Sequence, residues 1–193
     1  MIIVIDTSSA LSALALLDQS RTPVREATSP SGRTFDLPAH FRDLVAGQKL
    51  TAVAVATGPG SFTGLRVGVS FGLGLAMGLR IPIVPLPTLG IQAARSDEAV
   101  LALAEAGRGR VYFSAPGSQP GLAEPDDLPK NLPVVGWLRP ATDAALKASG
   151  LRFKPDSELR TFGAAASTLL ASAHEVPYGS LRLEYMQSFS ASL

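Results

Sequence analysis

Two short polar turns carry the side chains best suited to chemistry in this sequence. The first is Asp6-Thr7-Ser8, a carboxylate and two hydroxyls directly after an apolar run. The second is Gly58-Pro59-Gly60-Ser61, where glycines let backbone N–H groups approach an anion at a helix start. An acid together with a glycine-containing turn would suit a phosphorylated ligand and its metal ion. On this hypothesis the chain is an ATPase or a sugar kinase.

Each turn also has a structural interpretation. The first turn holds no glycine or lysine, and no Lys-Ser or Lys-Thr pair follows the glycines of the second. The corresponding place in a second hairpin holds Glu105-Ala106-Gly107, which is not an Asp-Gly-Gly type of turn. We therefore expect Asp6 to stabilise a hairpin turn, and residues 58–61 to connect a strand tightly to a helix capped by Ser61 or Thr63.

Other chemistry has little support in the sequence. His40 and His174 are 134 residues apart, and neither has a second histidine at helical spacing. The chain contains no cysteine, which excludes thiolate metal ligands and a cysteine nucleophile. Ser61 and Thr63 lie outside any Gly-x-Ser-x-Gly elbow. We expect no catalytic residue, no cofactor and no metal site.

The elements that position the turns follow from the hydrophobic pattern of the first half. Residues 2–5 and 11–17 predict a hairpin, and 24–27 a short third strand. A helix over 37–46 follows, then a strand over 51–56, a helix over 64–79 and a strand over 81–84. This order is typical of one half of a ribonuclease-H-like or actin-like ATPase fold, in which two halves face each other across a cleft. We expect an α/β fold of two lobes.

The second half of the chain predicts a smaller lobe. We expect a helix over 88–95, a hairpin of strands 99–104 and 110–114, a proline-rich loop over 116–133 and a strand over 134–137. Helices are expected over 141–148 and 158–173, with an irregular surface tail over 181–189. The predicted division is therefore 1–97 for the first lobe and 98–193 for the reduced second lobe.

The helix over 64–79 is unusual because it contains five glycines. Three of them recur with Ala76 at every fourth position and so share one face, and the five together cost roughly 3–5 kcal/mol relative to alanine. Another backbone packed closely along this face would offset the cost. The remaining faces are also apolar, so we expect part core and part partner surface. A membrane span is not expected, since only 13 uncharged residues separate Arg66 and Arg80, fewer than the roughly 17–25 that a bilayer needs.

Composition narrows the class of protein. The chain has 193 residues, 46% hydrophobic and 17% charged, with a net charge of +1. This charge gives no basic field for nucleic acid. The N-terminus runs directly into a strand without the pattern of a signal peptide, so we expect a cytoplasmic protein.

The stretch Gly58-Pro59-Gly60-Ser61-Phe62-Thr63-Gly64-Leu65-Arg66 closely resembles the TsaB (YeaZ) family. Gly68, Gly74-Leu75-Ala76 and Gly78 extend the motif, and Ile5-Asp6-Thr7-Ser8 and Val111-Tyr112 are also similar to it. The resemblance covers most of residues 1–115. It implies a non-catalytic partner in bacterial threonylcarbamoyladenosine synthesis on tRNA, with an actin-like fold that is degraded in its second lobe.

The same resemblance implies the partners. It implies a heterodimer with the related TsaD protein through a helical bundle that contains the 64–79 helix, with the ATPase TsaE docking at the junction. It also implies self-pairing through the same helices when the partner is missing, only indirect contact with tRNA, and no contact with a membrane. TsaD carries a metal-binding His-x-x-x-His pair, which this sequence lacks. The expected partner-binding residues are Gly64, Arg66, Val67, Gly68, Phe71, Gly72, Leu75 and Phe41.

Two departures from the family pattern are visible. Thr34-Phe35-Asp36 stands where the family usually has a histidine, and Tyr185-Met186-Gln187 stands where it has Tyr-Leu-Arg. Arg66 could pair with an acid of a partner or remain solvated. Two alternatives stay open: an actin-like ATPase or sugar kinase that uses Asp6 and residues 58–61, and a relative of metallopeptidases, which would need a bound metal.

Overall fold

A computed structural model of the chain describes residues 1–32 and 35–184. The first lobe is built on a five-stranded sheet with two helices on one face. Its strand order is β3-β2-β1-β4-β5, in which β1, β2 and β3 are antiparallel neighbours and β4 and β5 continue parallel to β1. The elements are β1 (Ile2–Asp6), β2 (Leu11–Leu17), β3 (Pro23–Pro30), α1 (Leu37–Val45), β4 (Ala52–Gly58), α2 (Phe62–Leu79) and β5 (Ile83–Pro87).

The register of the parallel strands brings the two polar turns together. Ile2 lies opposite Ala52, so β1 and β4 end at the same edge of the sheet. Asp6 closes β1 and Gly58 closes β4. Because parallel strands deliver their carboxyl ends to one edge, the turn after Asp6 and the turn before α2 are neighbours.

The second lobe repeats the first in shortened form. Its sheet has the order β8-β7-β6-β9, again with three antiparallel neighbours followed by one parallel strand. The last helix–strand unit of the first lobe has no counterpart in this sheet as described. The elements are α3 (Thr88–Ala93), β6 (Leu101–Gly107), β7 (Arg110–Ser114), β8 (Gly121–Ala123), β9 (Val134–Val135), α4 (Pro140–Ala148) and α5 (Phe162–Leu170). The predicted two-lobed, actin-like α/β fold is confirmed.

Helix α5 leaves the second lobe and packs on the first sheet. Phe162, Ala165 and Ala166 lie in one core cluster with Val4 and Ala15, on the sheet face opposite α2. The carboxylate of Glu26 on β3 accepts a hydrogen bond from the Gly163 amide at 2.9 Å, at the start of α5. The division at residue 97 stays a prediction, but residues 98–193 do not all belong to the second lobe.

Several predicted boundaries are wrong where tertiary contacts decide them. The proline-rich segment contains β8, which pairs with β7. Helix α5 is shorter than the predicted 158–173, because Thr161 caps its start and residues 156–158 form a separate 3-10 turn. Strand β3 is longer than predicted, since it pairs with the whole length of β2.

Helix α2 is long and apolar enough to cross a membrane by length and composition alone. It has 18 residues with a mean hydropathy of 1.4, of which 22% are buried in the chain. The argument that it is too short for a bilayer is therefore wrong, because the helix begins at Phe62 and includes Arg66. Core helices of soluble proteins satisfy the same criterion, and one face of α2 packs on β1 and β4. We treat α2 as an element of the α/β fold.

Candidate functional site

The turn after β1 is a closed hydrogen-bonded unit. Asp6 is fully buried, and its Oδ1 accepts from the Ser8 amide at 2.8 Å and from the Ser8 hydroxyl at 2.6 Å. The Ser8 hydroxyl also lies 3.1 Å from that of Thr88 at the start of α3. These contacts confirm that Asp6 stabilises the hairpin turn.

The second oxygen of Asp6 makes the carboxyl electrostatically unusual. Oδ2 is buried and has no hydrogen-bond partner among the described residues. Burial raises the pKa of Asp6, and the two hydrogen bonds from Ser8 oppose this without reversing it. A carboxyl with no exposed surface cannot coordinate a metal or reach a phosphate unless the turn opens.

The glycine-containing turn packs directly on the first turn. The Ser61 amide donates to the Ser8 carbonyl at 2.7 Å, so this N–H is not available to an anion. A methyl group at Gly60 would lie 2.6 Å from the same carbonyl oxygen, which is why glycine is needed there. The Ser61 hydroxyl accepts from the Gly64 amide at 3.3 Å and caps α2, as predicted.

A cleft of about 660 Å³ separates the two lobes beside these turns. Hydroxyl-bearing residues of the first lobe, among them Ser9 and Thr63, line one side of it. Glu105 and Arg139 line the other side. Glu105 occupies the position in β6 that Asp6 occupies in β1, because Leu101 and Ile2 pair with the first residues of β9 and β4.

Both carboxylate oxygens of Glu105 are hydrogen-bonded at the start of α4. Its carboxylate accepts from the Arg139 amide at 2.6 Å and from the Thr142 hydroxyl at 3.1 Å. A carboxylate at a helix N-terminus satisfies amides that would otherwise lack partners. Asp6 and Glu105, which occupy equivalent positions in the two sheets, therefore both make structural hydrogen bonds.

The glycine face of α2 packs against the chain's own sheet. A methyl group at Gly64 would overlap the Thr7 carbonyl oxygen, and one at Gly68 would overlap the Thr7 hydroxyl. Gly72 faces the side chain of Val55. The prediction that a backbone lies close along this face is confirmed. Gly68 and Gly72 are buried by this packing, whereas Gly64 stays partly exposed; contact of these glycines with a partner remains a prediction.

A neighbouring side of α2 carries a partly exposed apolar stripe, which we call the α2 stripe: Val67, Phe71, Leu75 and Leu79. These residues are four apart and share one line along the helix. Val67 is 48% and Leu79 is 53% exposed, while Phe71 and Leu75 are half-buried. The Phe41 ring of α1 meets the Phe71 ring edge-on with centroids 5.4 Å apart. The predicted residues Val67, Phe71, Leu75 and Phe41 thus form one continuous surface.

Further apolar groups flank the α2 stripe. Phe62 is 41% exposed at the first turn of α2 and Met77 is 54% exposed near its end. The Arg66 guanidinium lies 3.7 Å from the centroid of the Phe62 ring. Outward-facing Gly74 and Gly78 have open space where a methyl group would stand. The surface is apolar, and where glycine stands it is smooth enough for another helix to approach closely.

No group of three histidine or acidic side chains that could hold a metal occurs in the described residues. His40 lies on α1 and stacks on Phe35, with ring centroids 4.8 Å apart. His174 follows α5 and is exposed. The structure therefore does not bring the two histidines into one site.

Sequence reasoning missed the role of residues 176–184, which cross the first lobe beside α2. The Tyr178 hydroxyl lies 3.1 Å from the Ala76 carbonyl and 2.9 Å from that of Ile81, at the end of α2. The Glu184 amide donates to the Thr57 carbonyl oxygen at 2.8 Å, near the start of α2. Nothing in the local pattern predicts these long-range bonds. Thr34 and residues 185–187, where the sequence departs from the family pattern, lie outside the described residues.

Comparison with known proteins gives consistent matches. Residues 44–122 match the family model described as TsaD: tRNA N6-adenosine threonylcarbamoyltransferase. The chain is 32% identical over 146 residues to the tRNA threonylcarbamoyladenosine biosynthesis protein TsaB of Bacillus subtilis (strain 168), covering 71% of this chain and 64% of that protein. It is 31% identical over 123 residues to the protein of the same name from Escherichia coli (strain K12), covering 58% and 53%.

The fold comparison extends over nearly the whole chain. YeaZ from Pseudomonas aeruginosa superimposes with a TM-score of 0.73 at 22% identity, covering 95% of this chain and 98% of that one. The chain spans less than two thirds of each of the two curated relatives in the sequence alignments. The motif, the two-lobed topology and these matches agree: the chain is similar in sequence to the TsaB (YeaZ) family and shares the fold of YeaZ.

Proposed function

We propose that this chain is a non-catalytic subunit in tRNA threonylcarbamoyladenosine biosynthesis, where it pairs with a TsaD-like protein. In this proposal a TsaE-like protein joins the pair, two copies of the chain pair when the partner is missing, and tRNA is contacted only indirectly. The names of the curated relatives support the pathway. We place the protein in the cytoplasm, with the tRNA that the pathway modifies.

One observation carries the proposal: the exposed apolar side chains are concentrated on α2. In the described part of the chain, five large hydrophobic residues are exposed, and four of them, Phe62, Val67, Met77 and Leu79, lie on this helix. Exposed apolar patches of this kind mark interaction surfaces. We therefore assign pairing to the α2 stripe with Phe41, Phe62 and Met77.

The energetics of such a surface favour a protein partner. Burial of apolar area stabilises a complex by about 25 cal/mol per Å² before the entropic costs of association. A helix that presents small residues beside large ones lets a second helix pack closely, as Gly74 and Gly78 do beside Met77 and Leu79. The partner best suited to this surface is an amphipathic helix pair with its own apolar face.

The absence of catalysis is proposed from the state of the two turns. Asp6 is buried, Glu105 caps α4, and the Ser61 amide is bonded to Ser8. An ATPase or sugar kinase would need such groups free to bind Mg²⁺ and phosphate, whereas here they are buried or bonded within the chain. No feature of the described residues favours that alternative.

Replacing Val67 by glutamate tests the proposal. Val67→Glu places an unpaired charge in the apolar surface, so we expect pairing with a TsaD-like protein to weaken by a factor of at least about ten. Size-exclusion chromatography with light scattering measures the loss of the complex, and circular dichroism checks that the fold is intact.

Val24→Glu is the matched control. Val24 is 51% exposed but lies on β3, away from α2. We expect this variant to pair like the wild type. Equal pairing of Val67→Glu and wild type, with both chains folded, would contradict the assignment of the surface.

A further inference from the structure

Two residues at the junction of the lobes, Trp137 and Arg95, are held by several contacts. Trp137 follows β9 of the second lobe, yet its side chain is 9% exposed and lies in the core cluster of the first lobe. Its ring is 5.9 Å from that of Phe162 on α5. The second lobe therefore anchors a large side chain in the core of the first.

The backbone of Trp137 is attached to the first lobe as well. Its carbonyl accepts from the Ala10 amide, in the turn between β1 and β2, at 3.2 Å. Ala10 lines the cleft on one side, and Arg139, two residues after Trp137, lines it on the other. These contacts of Trp137 and Arg95, which we call the joint, therefore lie beside the cleft. A change in the angle between the lobes would have to disturb them.

Arg95 covers this joint from the segment that links α3 to β6. It is 7% exposed, and its guanidinium lies 4.8 Å from the centroid of the Trp137 ring. The same guanidinium donates to Gln92 Oε1 at 3.3 Å and lies 3.6 Å from Asp156. A buried guanidinium stacked on an indole and held by further polar groups is costly to displace.

A second pair of hydrogen bonds connects Arg95 to the segment that precedes α5. The Arg160 amide donates to the Arg95 carbonyl at 2.7 Å, and Arg95 Nε donates back to the Arg160 carbonyl at 3.4 Å. Arg95 thus contacts α3, the segment after β9 and the segment before α5. These three segments lie at the junction of the lobes.

We propose that Arg95 and Trp137 lock the two lobes at one angle, so that the interlobe cleft keeps a single width in the native protein. Domain closure requires hinge segments whose contacts rearrange at low cost. Here the linking segments are joined by a buried cation, an inserted indole and reciprocal hydrogen bonds between Arg95 and Arg160. The lobes behave as one body, and Arg95 is the positioning residue of the joint.

The absence of native cysteines allows a direct measurement of the cleft. Thr63→Cys and Ala141→Cys place one spin label on each lobe, at exposed positions beside the cleft. Pulsed electron resonance then gives the distance distribution across it. Labelled chains are diluted with unlabelled protein, so that distances within one chain are measured. We expect a single narrow distribution.

In this background we expect Arg95→Met to broaden the distribution to roughly twice its width, because the indole is uncovered and the joint opens. Arg152→Met, which removes an exposed arginine of the second lobe, is the matched control and is expected to leave the width unchanged. Trp137→Phe keeps an aromatic ring in the core and is expected to give a smaller broadening. It tests the joint even where Arg95→Met fails to fold.

Two results would overturn the lock. A broad or double distribution in the doubly labelled protein without further changes would show that the lobes already move. An unchanged narrow distribution in folded Arg95→Met or Trp137→Phe would show that other contacts fix the angle. Both are independent of pairing with a partner, so failure of the lock and failure of the proposed function are distinguishable.

Discussion

Asp6 shows how an acid in a position suited to catalysis can serve structure instead. One of its oxygens accepts two hydrogen bonds from Ser8, and the other is buried without a partner in the described residues. A buried carboxyl with one unsatisfied oxygen favours the protonated form. Ionisation of Asp6 is therefore expected to lower the stability of the first lobe.

The titration of Asp6 gives a prediction with a definite sign. Burial raises its pKa in the folded chain above the ordinary value of 3.8. Between the two values the folded state binds more protons than the unfolded state, so the stability from this group is complete below the unfolded value and is lost as pH rises through the folded value. Asp6→Asn removes the titration.

We therefore expect the free energy of unfolding of the wild type, relative to Asp6→Asn, to decrease as pH rises from the ordinary value of 3.8 through the raised pKa of the folded chain. Urea unfolding of both proteins across this range measures the difference. Because the difference between the two proteins is compared, other titrating groups cancel. A difference that is constant, or that grows in favour of the wild type as pH rises, would contradict the account of Asp6.

At the scale of single residues, the sequence predicted roles that depend on near neighbours. The hairpin function of Asp6 and the cap by Ser61 follow from turn chemistry within three residues. The attachment of Glu105 to Arg139 and Thr142 spans more than thirty residues, and no local pattern predicts it. The same is true of Tyr178 at the end of α2.

At the scale of elements, α2 illustrates what a hydrophobic pattern can and cannot decide. The pattern predicted the helix and a smooth glycine face, because both follow from spacing along the chain. It did not decide which face meets the sheet, since all faces of α2 are apolar. The structure decides it: Gly64, Gly68 and Gly72 face β1 and β4, whereas Phe62, Val67, Met77 and Leu79 are exposed.

A pair of alanine substitutions tests this orientation of α2. At Gly64 the added methyl group would overlap the Thr7 carbonyl oxygen, so we expect Gly64→Ala to destabilise the chain by about 1–3 kcal/mol. At Gly74 the methyl group meets open space, so we expect Gly74→Ala to stabilise by about 0.5–1 kcal/mol through helix propensity.

Both variants are measured by urea unfolding at a concentration where the chain is monomeric, so that pairing does not contribute. The two substitutions add the same group to the same helix and differ only in what it meets. Equal effects, or a stabilising Gly64→Ala, would mean that the glycine face is not in contact with β1.

At the scale of the whole molecule, the two sheets share one strand order, and the second stops one helix–strand unit earlier. The sequence predicted two lobes because each begins with a hairpin. It did not predict that α5 returns to the first sheet, or that Trp137 enters the first core. These placements rest on contacts between residues far apart in the chain, which local patterns do not encode.

Among the described residues, the exposed large apolar side chains are concentrated on α2. The turns at the cleft are bonded to one another, whereas Val67 and Leu79 of the α2 stripe are exposed. The central claim of the proposed function is therefore that the molecule presents α2 to a partner.

Hydrogen–deuterium exchange on adding a TsaD-like protein tests that claim most directly, because it maps the contact without any substitution. Pairing through α2 shields its backbone and slows its local opening. We expect slower exchange across α2 and around Phe41 of α1, with β3 and β8 unchanged. Protection confined to the cleft or to the second lobe, with α2 exchanging as in the free chain, would contradict it.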